Sequence, residues 1–335
     1  MALQQKDITG AFHDLGPDRV LNLVEKMLGI RCNNLFRTLN SYINRVFEIE
    51  TEEGIRMVVK FYRPGRWSKK AILDEHTFLT QLAEQEIPVI APLHFRDGET
   101  LAESEKLLFA VFPKCGGRSS DEFTDDQWLQ IGRLLGRVHQ VGEAGKAKNR
   151  ITLAPRHSTL EQLNYLLGAS CVAEDLKPLL KTTVLRIIEV IEPLFQQTKS
   201  IRIHGDCHFS NIIHRPGESF HLIDFDDMAM GPPVQDIWML LPGDAEEAVV
   251  ELDFLLEGYE TFRAFDRRTL RLIEPLRAMR FIHYMAWCAH QVEADGITRA
   301  IDDFGTRDYW QREINDLVDQ EARIAESRLP SGNVL

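Results

Sequence analysis

What this chain lacks narrows the field first. It has no CxxC pair, and its five cysteines (Cys32, Cys115, Cys171, Cys207, Cys288) stand 83, 56, 36 and 81 residues apart. An odd count at such spacing disfavours a disulfide framework or zinc knuckle, and a reducing cytoplasm is the expected compartment. No apolar run approaches the ~20 residues that span a bilayer. MALQQKDITG lacks the charged-then-apolar pattern of a leader. Positive charge is also short: 39 Lys and Arg against 51 Asp and Glu leave a net charge of −12. That balance disfavours nucleic acid and permits a cationic or metal-bound partner. What is present is ordinary for a globular protein, 44% hydrophobic and 27% charged. The 335 residues suffice for two domains.

Pro17 is placed to open a helix with Val20, Leu21, Val24 and Leu28 on one face and Gly29 at its end. Residues 39–50 and 55–62 read as two strands around the turn TEEG. Ser68 caps a helix striped by Ile72, Leu79 and Leu82, and residues 107–117 read as a buried strand entering a glycine-bearing connection. Thr124 and Gln127 make a capping box before a strongly amphipathic helix. Beyond residue 118 the pattern is helical, except for a hairpin over NIIHRPGESFHLIDF that turns at Pro216 and Gly217. The expectation is an α+β chain of two lobes, β-rich over 1–115 and mostly helical over 116–335, with a cleft for a small molecule.

HGDCHFSNIIH (204–214) and LIDFDD (222–227) carry the chemistry. Asn211 lies five residues after Asp206, and the hairpin returns Asp224 toward Asn211. An aspartate and an asparagine oxygen side by side suit Mg²⁺, which takes few protein ligands and bound phosphate. Asp206 is then left to accept a proton from an attacking hydroxyl. This is the arithmetic of a kinase catalytic loop. Such an enzyme also needs a strand lysine for the phosphates of ATP, and Lys60 at the end of MVVK fits. Glu75 lies inside the apolar stripe of its helix and is expected to pair with Lys60. No GxGxxG is present; Asn40 and Ser41, with help from Asn44, stand where phosphates would be covered.

HGDCHFSNI, LIDFDD and GPPVQDIWMLLPGD resemble the aminoglycoside phosphotransferase and choline kinase-like superfamily. LNSYINRVFEI, VVKFYRPGRW, EHTFL, FAVFPKCGGR and IEPLRAMRFIHYMAW resemble the stress response kinase A family within it, over roughly residues 30 to 320. The resemblance implies a two-lobed protein-kinase-like fold and transfer of phosphate from ATP, with Mg²⁺, to Ser or Thr of proteins in a bacterial stress response. It implies Asp206 as proton acceptor, Asn211 and Asp224 as metal ligands, Ser41 at ATP, and Asp236 as a brace for the catalytic loop. A monomer is expected.

Other readings stay open. A small-molecule phosphotransferase suits the seven residues between Asp224 and Pro232, too few for a phosphorylation-ordered switch. H-x-D-x-H over 204–208 also resembles a piece of a metallohydrolase site. A pseudokinase would not need Lys60, Asp206, Asn211 and Asp224 together. Seven acids over 244–260 read as a solvated helix face or as a lure for a basic acceptor. Cys207 is expected to be inert.

Overall fold

The computed structural model describes Phe12 and residues 15–120, 122–215, 219–243 and 247–326. The chain divides into two compact units. One holds residues up to Phe123 together with 147–150 and 209–226; the other holds 124–146, 151–208 and the remainder from Asp227.

In the first unit, Pro17 opens α1 (Pro17–Leu28), where its missing N–H leaves no bond unmade. Gly29 closes α1 at φ 72°, its N–H donating to the Glu25 carbonyl at 2.8 Å. Then come β1 (Cys32–Leu39), β2 (Arg45–Thr51) and β3 (Arg56–Phe61). α2 (Lys69–Glu84) starts where Ser68 Oγ accepts the Ala71 N–H at 3.2 Å. β4 (Ala102–Ser104) and β5 (Leu107–Pro113) complete an antiparallel five-stranded sheet of order β1-β2-β3-β5-β4. The strand expected over 39–50 begins only at Arg45. Residues 40–44 are instead the turn after β1, a strand whose burial shows no alternation to reveal it.

Side chains alternate along a strand. Met57, Val59 and Phe61 therefore share a face with Phe47, Ile49, Phe109 and Val111, and α1 packs Val20 and Val24 there. Lys60 is out of phase with them and lies opposite Ala110, on the face where Tyr62 and Ala110 meet Ile72 of α2.

In the second unit, Thr124 and Gln127 form a complete capping box at the start of α3 (Asp125–Glu143). A π-helical turn, Pro155–Thr159, runs into α4 (Leu160–Gly168), followed by α5 (Lys177–Gln196) and β6 (Ile201–Ile203). The chain then rejoins the first unit for β7 (Ile212–His214) and β8 (Phe220–Leu222), the expected hairpin. Its turn residues Pro216 and Gly217 lie outside the described residues. Back in the second unit are β9 (Ala229–Gly231), α6 (Val234–Trp238), α7 (Val249–Glu260), α8 (Ile273–Asp295) and α9 (Arg307–Glu326). β9 pairs with β6, a ladder of three residues each and too short to leave a period in the sequence. The fold is mixed, with the antiparallel sheet in the first unit and mostly helices in the second.

Candidate active site

In the first unit, Lys60 is buried at 9% exposure, its Nζ 3.0 Å from Asp226 Oδ1 and 3.3 Å from Asp224 Oδ1. Burial alone would lower the Lys60 pKa; Asp226 and Asp224 outweigh it and hold the ammonium well above its ordinary value. Burial likewise works to raise the Asp226 carboxyl, and Arg66 and Lys60 hold it below the usual range instead. Arg66 Nη1 donates to Asp226 Oδ2, as does Asn44 Nδ2 at 3.2 Å.

Glu75 is not the partner of Lys60. Its Oε2 accepts from Arg150 Nη2. The same guanidinium donates to the Ala71 carbonyl at 2.8 Å and the Asp226 carbonyl at 2.7 Å, and it lies 4.3 Å from the Trp67 ring centroid. A planar guanidinium fork can serve three acceptors and stack on an indole at once, which a point-like ammonium cannot. That is why Arg150 displaces Lys60 from the expected pair.

The hairpin places the metal-type oxygens. Ile212 stands opposite Leu222, and the Ile223 N–H donates to the Asn211 carbonyl at 2.9 Å. Asn211 and Asp224 therefore emerge at the same end. The Leu222 N–H donates to the Pro88 carbonyl at 3.0 Å, fixing the hairpin in the unit. Asp224 has φ 58°, a left-handed conformation uncommon outside glycine, and its side chain is 57% exposed. Asp226 Oδ1 is buried, with Lys60 Nζ at 3.0 Å. These oxygens are hard donors and fit a small divalent cation. Among the described residues no group of three or more His, Cys, Asp or Glu is arranged for a metal.

Asn40 is exposed in the turn before β2, and Ser41 Oγ accepts the Asn44 N–H at 3.2 Å. Of the three polar residues there, Asn44 is the one that reaches a carboxylate.

In the second unit, Gly205 has φ 86°, and a Cβ there would sit 2.2 Å from the Asp227 carbonyl oxygen. Only glycine fits. Asp236 is fully buried and accepts the N–H of His204 at 2.7 Å and of Gly205 at 2.8 Å. Its Oδ2 also lies 2.9 Å from His139 Nε2, and His139 Nδ1 lies 3.0 Å from the Tyr259 hydroxyl. Asp206 is thus presented by a loop whose backbone is tied down. Arg280 Nη2 donates to Asp206 Oδ1 at 2.7 Å, and His208 Nε2 lies 3.5 Å from Oδ2. Burial works to raise the Asp206 carboxyl, but His208 and Arg280 hold it well below the usual range. The Cys207 thiol is fully buried and pushed well up, by burial first and then by Asp236 and Asp206.

Sequence reasoning missed Asp226, Arg66, Arg150 and Arg280. A charged residue in an apolar stripe pointed to Glu75; Arg280 lies off the Leu276, Met279 and Ile282 stripe of α8, so that rule does not reach it.

A sequence model of the phosphotransferase enzyme family matches residues 36–273. The chain is 38% identical to stress response kinase A of Shigella flexneri, covering 95% of this chain and 96% of that protein. It is 37% identical to the serine/threonine protein kinase RdoA of Salmonella typhimurium, with the same coverage. Among solved structures, amicoumacin kinase hAmiN in complex with AMP-PNP, Ca²⁺ and Ami superposes with a TM-score of 0.71 over 93% of each chain at 21% identity, a likeness of fold. Among the described residues no helix is long and apolar enough to cross a membrane.

Proposed function

The chain belongs to the phosphotransferase enzyme family and groups with stress response kinase A, and from that premise we propose that it is an ATP- and Mg²⁺-dependent kinase acting on Ser or Thr of proteins. Its setting is the cytoplasm, in a bacterial stress response. The observation that carries this reading is the ion pair of Lys60 with Asp224, a phosphate-type cation meeting a metal-type carboxylate 164 residues away.

In this reading Lys60, oriented by Asp226, holds phosphates of ATP, and the turn with Asn40 and Ser41 covers them. Asn211 and Asp224 hold Mg²⁺. The metal supplies charge neutralisation on the phosphates when bound. Glu75 acts at one remove, by fixing Arg150 against the Asp226 carbonyl. Asp206 takes the proton of the acceptor hydroxyl as its oxygen bonds to the γ-phosphorus. The bond to the β-phosphate oxygen breaks, and its electron pair leaves with ADP. Asp236 holds the loop that presents Asp206.

A second reading, a small-molecule phosphotransferase, is favoured by the short link between Asp224 and Pro232, which leaves no segment for a phosphorylation switch. Both readings are tested by γ-labelled Mg·ATP with wild type and Asp206→Asn, following label in Ser/Thr-bearing proteins and in the small-molecule fraction of an extract. Asp206-dependent label in protein supports the first reading. Label confined to small molecules replaces it with the second, and label independent of Asp206 removes that residue from the role of base.

A further inference from the structure

The second unit has a small recess, with a cavity volume of about 40 Å³, and Gly205 and Arg280 beside Asp206 contribute to its wall. Its apolar lining comes from Ile151, Leu153, Leu276 and Met279. Two polar groups in it are short of partners. Arg280, with five N–H donors, makes its one side-chain bond to Asp206 among the described residues, and its side chain is 28% exposed. Thr159 is fully buried, and its Oγ1 makes no hydrogen bond to the described residues. A native structure rarely leaves a buried hydroxyl unsatisfied without a water or ligand to meet it. Among the described residues Asp227 is the acid lining the recess, and Arg280 the arginine.

We propose that Arg280 is a specificity residue that receives an anionic group beside the acceptor hydroxyl, so that the preferred acceptor is a hydroxyl flanked by a carboxylate or phosphate. The inference rests on the reading of Asp206 as base. An acceptor anion of this kind draws the guanidinium away from Asp206, and the carboxylate it leaves is a stronger proton acceptor. The acceptor proton then passes to Asp206 as the new O–P bond forms and ADP departs with the electron pair of the broken bond. A guanidinium matches carboxylate and phosphate oxygens in two-point fashion, so the anion also fixes the orientation of the hydroxyl. A protein acceptor meets this requirement with an acidic neighbour of its Ser or Thr, a small molecule with its own acid group.

The test measures kcat/KM for two peptides that differ only in Glu or Lys after the acceptor Ser, and for glycerate against glycerol. The expected result is at least a tenfold preference for the acidic member of a pair. Arg280→Gln should bring the preference within twofold, and Arg280→Lys should keep part of it. Discrimination between the peptides assigns the anion to a protein side chain; discrimination confined to glycerate assigns it to a small molecule, and both support the inference. Asp206-dependent transfer without charge preference, or a preference that survives Arg280→Gln, overturns the inference alone. Transfer to none of these acceptors, or transfer that survives Asp206→Asn, overturns the proposed function and the inference with it.

Discussion

Asp226 carries the charge opposite Lys60: its Oδ1 lies 3.0 Å from Nζ, and both residues are buried. The two acids of the IDFD segment therefore differ in kind. Asp224, in a left-handed backbone conformation, presents an exposed carboxylate, while Asp226 is enclosed by Lys60, Arg66 and Asn44. One turns most of its carboxylate to solvent beside Lys60; the other, buried, sets the position of that cation.

This division predicts which carboxylate matters for ATP. Asp226→Asn should raise KM for ATP more than Glu75→Gln does, because Glu75 bonds Arg150 and not Lys60. Each variant removes a buried carboxylate from a buried cation, although Asp224 still faces Lys60 in Asp226→Asn; breaking a buried pair costs up to about 3–5 kcal/mol, so denaturant melts must accompany the kinetics. Equal KM effects at equal stability would return Glu75 to the role of lysine partner.

Part of this arrangement was legible in the sequence, and the limit is physical. Asn211 and Asp224 flank one hairpin, so their spacing carries the end at which they emerge. Lys60 was legible because strand alternation puts it on the face opposite Val59 and Phe61. The capping box at Thr124 was equally local. The partners that fix these groups are distant in sequence: Arg150 lies 75 residues from Glu75, and Arg280 lies 74 from Asp206. Arg150 stands in a polar link without periodicity, and nothing local says which acid of LIDFDD it or Lys60 will meet.

Gly205→Ala should abolish transfer and destabilise the second unit. The backbone there is at φ 86°, and the added Cβ would meet the Asp227 carbonyl oxygen at 2.2 Å. The left-handed conformation alone costs a non-glycine residue about 1–2 kcal/mol, and relief of the clash must shift the residue next to Asp206. A variant with wild-type melting and wild-type turnover would mean that this loop adjusts freely.

His76 makes stability fall with acid. Its ring is buried between the Tyr62 hydroxyl at 2.9 Å and the Thr100 hydroxyl at 2.8 Å. Burial first, then Lys60 and Arg150, push its pKa from 6.5 down to about 3. Between those values the unfolded chain binds a proton that the folded chain refuses. Stability from this residue is therefore complete above pH 6.5 and is lost at about 1.4 kcal/mol per pH unit as pH falls toward 3. Urea midpoints at pH 7 and pH 5 should show a smaller drop for His76→Gln than for wild type. An identical drop would assign the acid sensitivity elsewhere.

Asp236 separates bracing from substrate binding. Its carboxylate takes two backbone N–H bonds from His204 and Gly205, so it fixes the peptide planes just before Asp206 without being the base. Asp236→Asn replaces one oxygen by an NH₂ group that faces donors. Each charged hydrogen bond lost this way is worth about 1.5–3 kcal/mol. The loop should then hold Asp206 less firmly, and kcat should fall by at least tenfold. KM for ATP should change little, because Lys60, Asp224 and Asp226 belong to the other unit and keep their mutual contacts. A rise in KM for ATP with unchanged kcat would contradict the bracing role. A fall in kcat matched by a fall in folded fraction, measured by hydrogen exchange at His204 and Gly205, would reduce Asp236 to a structural residue.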